Sequence, residues 1–251
     1  MSDARPTARL RAVFLDIGDT VMRPNPSWEH VYAIAFEEYG VHVEVEALYT
    51  ALRRAYHHGG FGFEAGFEAT EETSFARTMQ IDSAALADLG IEPMPESFFR
   101  RLSELFMLTS NWHVFSDATP ALAALRERGL VLGAVSNWVW QLPELLHALK
   151  LVSHFDFIAA SSRVGFEKPH PEIFRWALDQ AGVEPAEAIH VGDHIDADVA
   201  GAQGVGIQPV LIDRRDRFTA TDLPAGVPLI RNLTELIPIV DARLPVTVAG
   251  R

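Results

Sequence analysis

Short apolar runs alternate with amphipathic stretches along this 251-residue chain, and no other feature restricts its fold as strongly. Arg11–Leu15, Val131–Val135, Phe155–Ala159, Ala188–Val191 and Gly206–Ile212 read as continuous apolar strands, the kind buried on both faces of a parallel sheet. Between them the period changes. Thr119-Pro120 with Leu122, Leu125 and Gly129 predicts a capped helix with an apolar stripe and a terminal glycine. Pro171 to Ala181 places Ile173, Phe174, Ala177, Leu178 and Ala181 on one face, and Gly182 closes it. The expected class is α/β, a parallel sheet covered by helices on both sides.

One region breaks the alternation. Residues 23–107 hold no strand signal, only helix-like runs such as Trp28–Tyr39, Glu44–His57 and Pro95–Leu108. We read 23–107 as an all-helical insertion, entered at Pro24 and Pro26, with 1–22 and 108–251 forming the sheet-bearing core. His57-His58-Gly59-Gly60 and the Gly- and Phe-rich stretch to Phe67 look like a flexible loop within it. Composition narrows function. The chain has no cysteine, which excludes a disulfide scaffold, a thiol nucleophile and thiolate metal ligands. Its formal charge of −13 repels phosphate backbones, so nucleic acid is not an expected partner. Neither a signal peptide nor a membrane span is legible, and the expected location is the cytoplasm.

In open parallel sheets ligands bind beyond the carboxyl ends of the strands, so the polar residues after each apolar run deserve the closest reading. The first run is followed by Asp16 and Asp19-Thr20, the second by Ser136-Asn137. The loop after the third carries Lys168-Pro169; the fourth leads into Gly192-Asp193, then Asp196 and Asp198. Singly, these are ordinary turn and cap residues. Together they place a carboxylate, a hydroxyl, an ammonium and an acid cluster on one edge. Those groups suit phosphoryl transfer through a carboxylate.

The segments VFLDIGDTV (13–21), VLGAVSN (131–137), GFEKPHPEIF (165–174) and HVGDHIDADVAGA (190–202) resemble, in order, the motifs of the haloacid dehalogenase superfamily. The style is closest to phosphatase-like members with a helical cap between the first two motifs. The resemblance implies a Rossmann-like core and an aspartyl-phosphate formed on Asp16. It implies that Thr20, Ser136 and Asn137 bind substrate and that Lys168 neutralises nucleophile and phosphate. It also implies Mg²⁺ held by Asp16, the Gly18 carbonyl and Asp193, with Asp198 orienting those ligands from behind. A Mg²⁺-dependent phosphatase acting on a small phosphorylated metabolite is the function expected.

One position departs from the resemblance. The second motif aspartate, which protonates the leaving alcohol, is replaced by Gly18, and Asp19 lies one residue too far along. Positioned acid–base help is typically worth 10²–10⁴-fold, so slow or selective turnover is expected. Two alternatives stand beside this reading: a non-catalytic or regulatory binding protein, and a metal-independent haloacid dehalogenase. The insertion is expected to set selectivity. Arg53, Arg54, Tyr56, Phe61, Phe63 and Phe67 are either pocket residues or helix packing, as are Trp138 and Trp140 beside Ser136-Asn137. His57 or His58 is a candidate replacement acid.

Overall fold

The computed structural model describes residues 9–58 and 66–244. In chain order, β1 (Ala12–Leu15) and β2 (Met22–Pro24) precede four helices, α1 (Trp28–Glu38), α2 (Val45–His58), α3 (Glu71–Asp88) and α4 (Glu96–Met107). Then come β3 (Trp112–Val114), α5 (Ala118–Glu127), β4 (Val131–Ser136), α6 (Leu142–Ala148), β5 (Phe157–Ala160), α7 (Ser161–Val164) and α8 (Pro171–Ala181). The chain continues through β6 (Ala188–Gly192), a π-helical turn at Ile195–Ala200 running into α9 (Gly201–Gly204), β7 (Gln208–Ile212), β8 (Leu229–Ile230) and α10 (Leu236–Asp241).

Six of the strands form one parallel sheet in the order β5-β4-β1-β6-β7-β8. All four residues of β1 are fully buried, because β1 is central and covered on both faces. Its side chains alternate between two cores. Val13 and Leu15 pack with Leu122, Leu125 and Leu145 on one face; Ala12 and Phe14 pack with Ile173, Phe174 and Ala177 on the other. The sheet grows from β1 through β4 in one direction and through β6 in the other, so the strand order reverses beside β1. Such a switch point opens a crevice past the strand ends.

The five apolar runs are all strands, with edges moved by one or two residues. Gly206 explains one shift: its φ of +84° ends the preceding turn, so β7 begins at Gln208 and not at the glycine. Helix α5 starts at Ala118, ahead of the Thr119-Pro120 pair expected to cap it. The start of the insertion also differs from expectation. Arg23 and Pro24 continue β2, which pairs antiparallel with β3 and so ties the two ends of the 24–112 segment together. Three-residue strands are too short to show a period, which is why neither was legible.

Helices α1–α4 share a separate apolar cluster that includes Val31, Phe36, Leu48, Leu86, Phe98 and Leu102. Helix α3 had no reading in the sequence, since its first half is polar and Asp82 breaks its apolar face. Asp82 is nevertheless buried, and its Oδ1 accepts hydrogen bonds from the hydroxyls of Tyr32 (2.7 Å) and Tyr56 (3.0 Å). Among the described residues no helix is long and apolar enough to cross a membrane.

Burial raises the Asp82 carboxyl to about 7, although both tyrosines favour its charged form. The folded chain therefore keeps a proton there that the unfolded chain gives up near pH 4. Stability should fall as pH rises through about 4–7, by at most about 1.4 kcal/mol per pH unit, and then level off. Urea titrations at pH 5 and 7.5 check this: Asp82→Asn should lose this component of the pH dependence, and parallel profiles for the two proteins would count against it.

Candidate active site

Three neighbouring strands deliver the site. Asp16 follows β1, Ser136 ends β4, and Gly192 ends β6 immediately before Asp193. The Asp16 N–H donates to the Val191 carbonyl at 2.8 Å, so the ladder holds the backbone of Asp16 up to the crevice. Its side chain is about nine-tenths buried. Asp16 Oδ1 accepts from Ser136 Oγ at 2.8 Å and from Lys168 Nζ at 2.6 Å. Among the described residues its Oδ2 makes no hydrogen bond.

Lys168 comes from the loop between α7 and α8 and is almost fully buried. The Asn137 side chain grips that loop from both sides: its Oδ1 accepts from the Lys168 N–H at 2.6 Å, and its Nδ2 donates to the Lys168 carbonyl at 2.9 Å. The expected contact with substrate is through the backbone around Asn137; its side chain holds the lysine in place. The ammonium lies between Asp16 and Asp198, 2.6 Å from an oxygen of each. Burial opposes the charge on Lys168, but Asp16 and Asp198 outweigh it and raise its pKa above the usual lysine value.

Asp198 anchors this arrangement from below. Its Oδ1 is also 2.8 Å from His190 Nε2, and its Oδ2 accepts from the His194 N–H at 3.0 Å. Burial opposes its charge, yet Lys168 and His190 hold its carboxyl far below the usual range. Asp16 is pushed the other way: burial and the Asp198 charge raise it, with Lys168 and Ser136 opposing. Close approach of Asp198 requires Gly192, because a Cβ there would lie 2.1 Å from Asp198 Cγ.

Asp16, Asp193 and Asp198 present carboxylate oxygens within 4.8 Å of one another. Burial and the charges of Asp16, Asp198 and Asp19 raise Asp193 to about 7, against the pull of Arg217. A hard-oxygen cluster whose negative charge the chain itself leaves in excess fits a small divalent cation. Since Asp198 has both oxygens engaged, Asp16 and Asp193 are its available ligands.

Other expected residues fall elsewhere. Thr20 is fully buried: its N–H donates to the Ile17 carbonyl (3.4 Å), its carbonyl accepts from Arg214 (2.7 Å), and among the described residues its hydroxyl has no hydrogen-bond partner. Asp19, at φ +51°, turns away to pair with Arg215 at 2.7 Å. Asp196 lies in the first turn after β6, without a role in the cluster. Arg54 pairs with Asp88 and Arg53 lies over Tyr49, so both serve the helices. His57 and His58 end α2; their side chains, with Phe61 and Phe63, lie outside the described residues. Phe67 docks on the core, its N–H donating to the Gly165 carbonyl at 2.9 Å under the Arg77 guanidinium.

The sequence reading missed His190 and the arginines after β7. Arg217 reaches Asp193 (3.0 Å) and is itself held by the buried Asp213, while Arg214 clamps Asp117. The available signal was the same rule that found the other residues: Asp213 to Arg217 directly follow an apolar strand.

The fold and site define a Rossmann-like protein with a buried, lysine-paired aspartate at the switch point. Residues 10–206 match the family model described as haloacid dehalogenase-like hydrolase, and the chain belongs to that family. Over 216 residues, 81% of this chain and 82% of the relative, it is 32% identical to haloacid dehalogenase-like hydrolase domain-containing protein 3 of Bos taurus. Over 133 residues, 51% of this chain and 53% of the relative, it is 38% identical to a phosphoserine phosphatase of Thermus thermophilus. The L-2-haloacid dehalogenase of Xanthobacter autotrophicus shares the fold, with a TM-score of 0.72 at 20% identity over 92% of this chain and 98% of that one.

The Gly192 contact is directly testable. Gly192→Ala should cost about 2 kcal/mol or more, because backbone or Asp198 must move. Gly204→Ala, where a Cβ meets nothing within 4 Å, is the control and should be near neutral or stabilising. Equal melting shifts for the two variants would refute the assignment of Gly192 as the seat of Asp198.

Proposed function

We propose that the chain is a Mg²⁺-dependent phosphatase of a small phosphorylated metabolite, working through an aspartyl-phosphate on Asp16. The observation that carries this reading is the state of Asp16: buried, with one oxygen fixed by Ser136 and Lys168 and the other free of hydrogen bonds among the described residues. An oxygen of the Asp16 carboxylate attacks phosphorus. A phosphorus–oxygen bond to Asp16 forms as the ester bond breaks, and the electron pair leaves with the departing oxygen. Water then attacks phosphorus and returns the pair to the Asp16 carboxylate.

Lys168 neutralises Asp16 and the incoming phosphoryl group together, and Ser136 with the backbone around Asn137 binds phosphoryl oxygens. Asp16, Asp193 and the Gly18 carbonyl are the proposed Mg²⁺ ligands, with Asp198 fixing Lys168 behind them. Bound there, Mg²⁺ would draw charge from the phosphoryl oxygens and lessen the repulsion between an anionic substrate and Asp16. In this reading residues 23–107 act as a cap over the core formed by 1–22 and 108–251. The relatives named as phosphatases support the choice of phosphate chemistry. A metal-independent dehalogenase would gain nothing from the Asp193 carboxylate beside an anionic substrate.

Phosphate release from p-nitrophenyl phosphate and a panel of phosphometabolites, with Mg²⁺ and with EDTA, tests the reading. Turnover should need the metal, and Asp16→Asn should lower it by about 10³-fold or more. If no substrate is turned over, or Asp16→Asn matches the parent, the protein is not a phosphatase of this kind. Metal-independent halide release from 2-chloropropionate would establish the dehalogenase reading in its place.

A further inference from the structure

Gly18 lies two residues past Asp16, and the space its side chain would fill is already occupied. A Cβ built on Gly18 comes 3.3 Å from Trp138 Cζ3 and 3.8 Å from Trp28 Cζ2. The two rings are 5.7 Å apart at 57°. Trp112 backs both, 5.4 Å from Trp28 and 5.3 Å from Trp138, and Phe106 stands 5.5 Å from Trp28. Trp112 is buried, whereas Trp28 and Trp138 are only partly so. Trp138 is held at its backbone, where its N–H donates to Ser161 Oγ at 3.1 Å. An aromatic wall therefore stands beside Gly18, two residues from Asp16, supported by α1 on one side and by the turn after β4 on the other.

The polar groups around this wall are committed. Lys168 and Ser136 are bound to Asp16 Oδ1, Asn137 to the Lys168 backbone, Asp19 to Arg215 and Asp193 to Arg217. Among the described residues each of these groups is already engaged by another. The wall also has a chemical preference, because flat conjugated rings pack on indoles edge-on or offset.

We propose that the Trp28–Trp138 wall is the leaving-group subsite and that it selects phosphate monoesters of flat, phenol-class hydroxyls, which depart without being protonated by the protein. The proposal rests on the phosphatase reading and narrows its substrate. Asp16 forms its bond to phosphorus while the phosphorus–oxygen bond to the ring breaks, and the electron pair leaves as an aryloxide. Water then cleaves the Asp16 ester. Of its two protons, one ends on the released phosphate and the other on the aryloxide. A phenol ionises near pH 10, as tyrosine does, whereas an aliphatic alcohol is about as weak an acid as water. The missing acid is thus tolerable for the first and costly for the second.

The test is a leaving-group series on the unaltered protein with Mg²⁺: substituted phenyl phosphates, 2-phenylethyl phosphate and acetyl phosphate. The 2-phenylethyl ester keeps the ring but has an alkyl leaving group; acetyl phosphate has a good leaving group and no ring. The expected kcat/KM for phenyl phosphate exceeds that for the 2-phenylethyl ester by about 10²-fold or more, in line with the value of a general acid. Trp138→Leu should lower kcat/KM for phenyl phosphate about tenfold more than for acetyl phosphate. Phenylphosphonate, which cannot be hydrolysed, should quench the tryptophan fluorescence of the parent protein with and without Mg²⁺. Phenyl and 2-phenylethyl phosphates turned over equally, with no quenching, would overturn the subsite while leaving the phosphatase reading intact. Phosphate release from no member of the series would overturn that reading, and the subsite with it.

Discussion

The Lys168 ammonium, 2.6 Å from Asp16 on one side and 2.6 Å from Asp198 on the other, is the interaction on which the site depends. Three buried charges in contact cost several kcal/mol each in desolvation, and only good geometry repays that. The surrounding structure supplies it. Asn137 fixes the lysine backbone, Ser136 and the β1 ladder fix Asp16, and His190 with the His194 N–H fixes Asp198. Gly192 leaves the room in which Asp198 can approach. Loss of any partner would strand a charge in a largely buried place.

Around this triad the chain's −13 charge takes on local form. Most acidic residues that pair do so on the surface, where ion pairs add little. The carboxylates near the crevice are different, because basic groups from distant sequence are assigned to them: Lys168 to Asp16 and Asp198, Arg215 to Asp19, Arg217 to Asp193. An acidic protein thereby holds cationic groups beside a pocket that the proposed function gives to an anionic substrate. Asp193 keeps an excess of negative charge around it, and that excess is the chain's own argument for a cation.

The four-helix insertion is tied to the core in two ways. Trp28 and Phe106 join the aromatic cluster that includes Trp112 and Trp138. On the other side, Ser74 Oγ accepts from the Trp140 N–H, Gln141 bonds Glu71, and Arg77 pairs with Glu167 next to Lys168. Helix α3 thus reaches the loop that carries the central lysine.

The sequence by itself determined the sheet, the family resemblance and the residues Asp16, Ser136, Lys168, Asp193 and Asp198, because apolar runs and the polar residues that end them are local patterns. It also shows Gly18 where the resemblance implies an acid. Tertiary structure alone decided what stands in that gap, since Trp28 and Trp138 are 110 residues apart and meet only when the insertion folds back on the core. The same holds for Asn137 turning to hold Lys168, Thr20 turning inward, the buried Asp82 on a helix that reads as polar, and the arginines that follow β7. A side chain's direction and partner depend on what packs against it, and the elements that pack here are far apart in the chain.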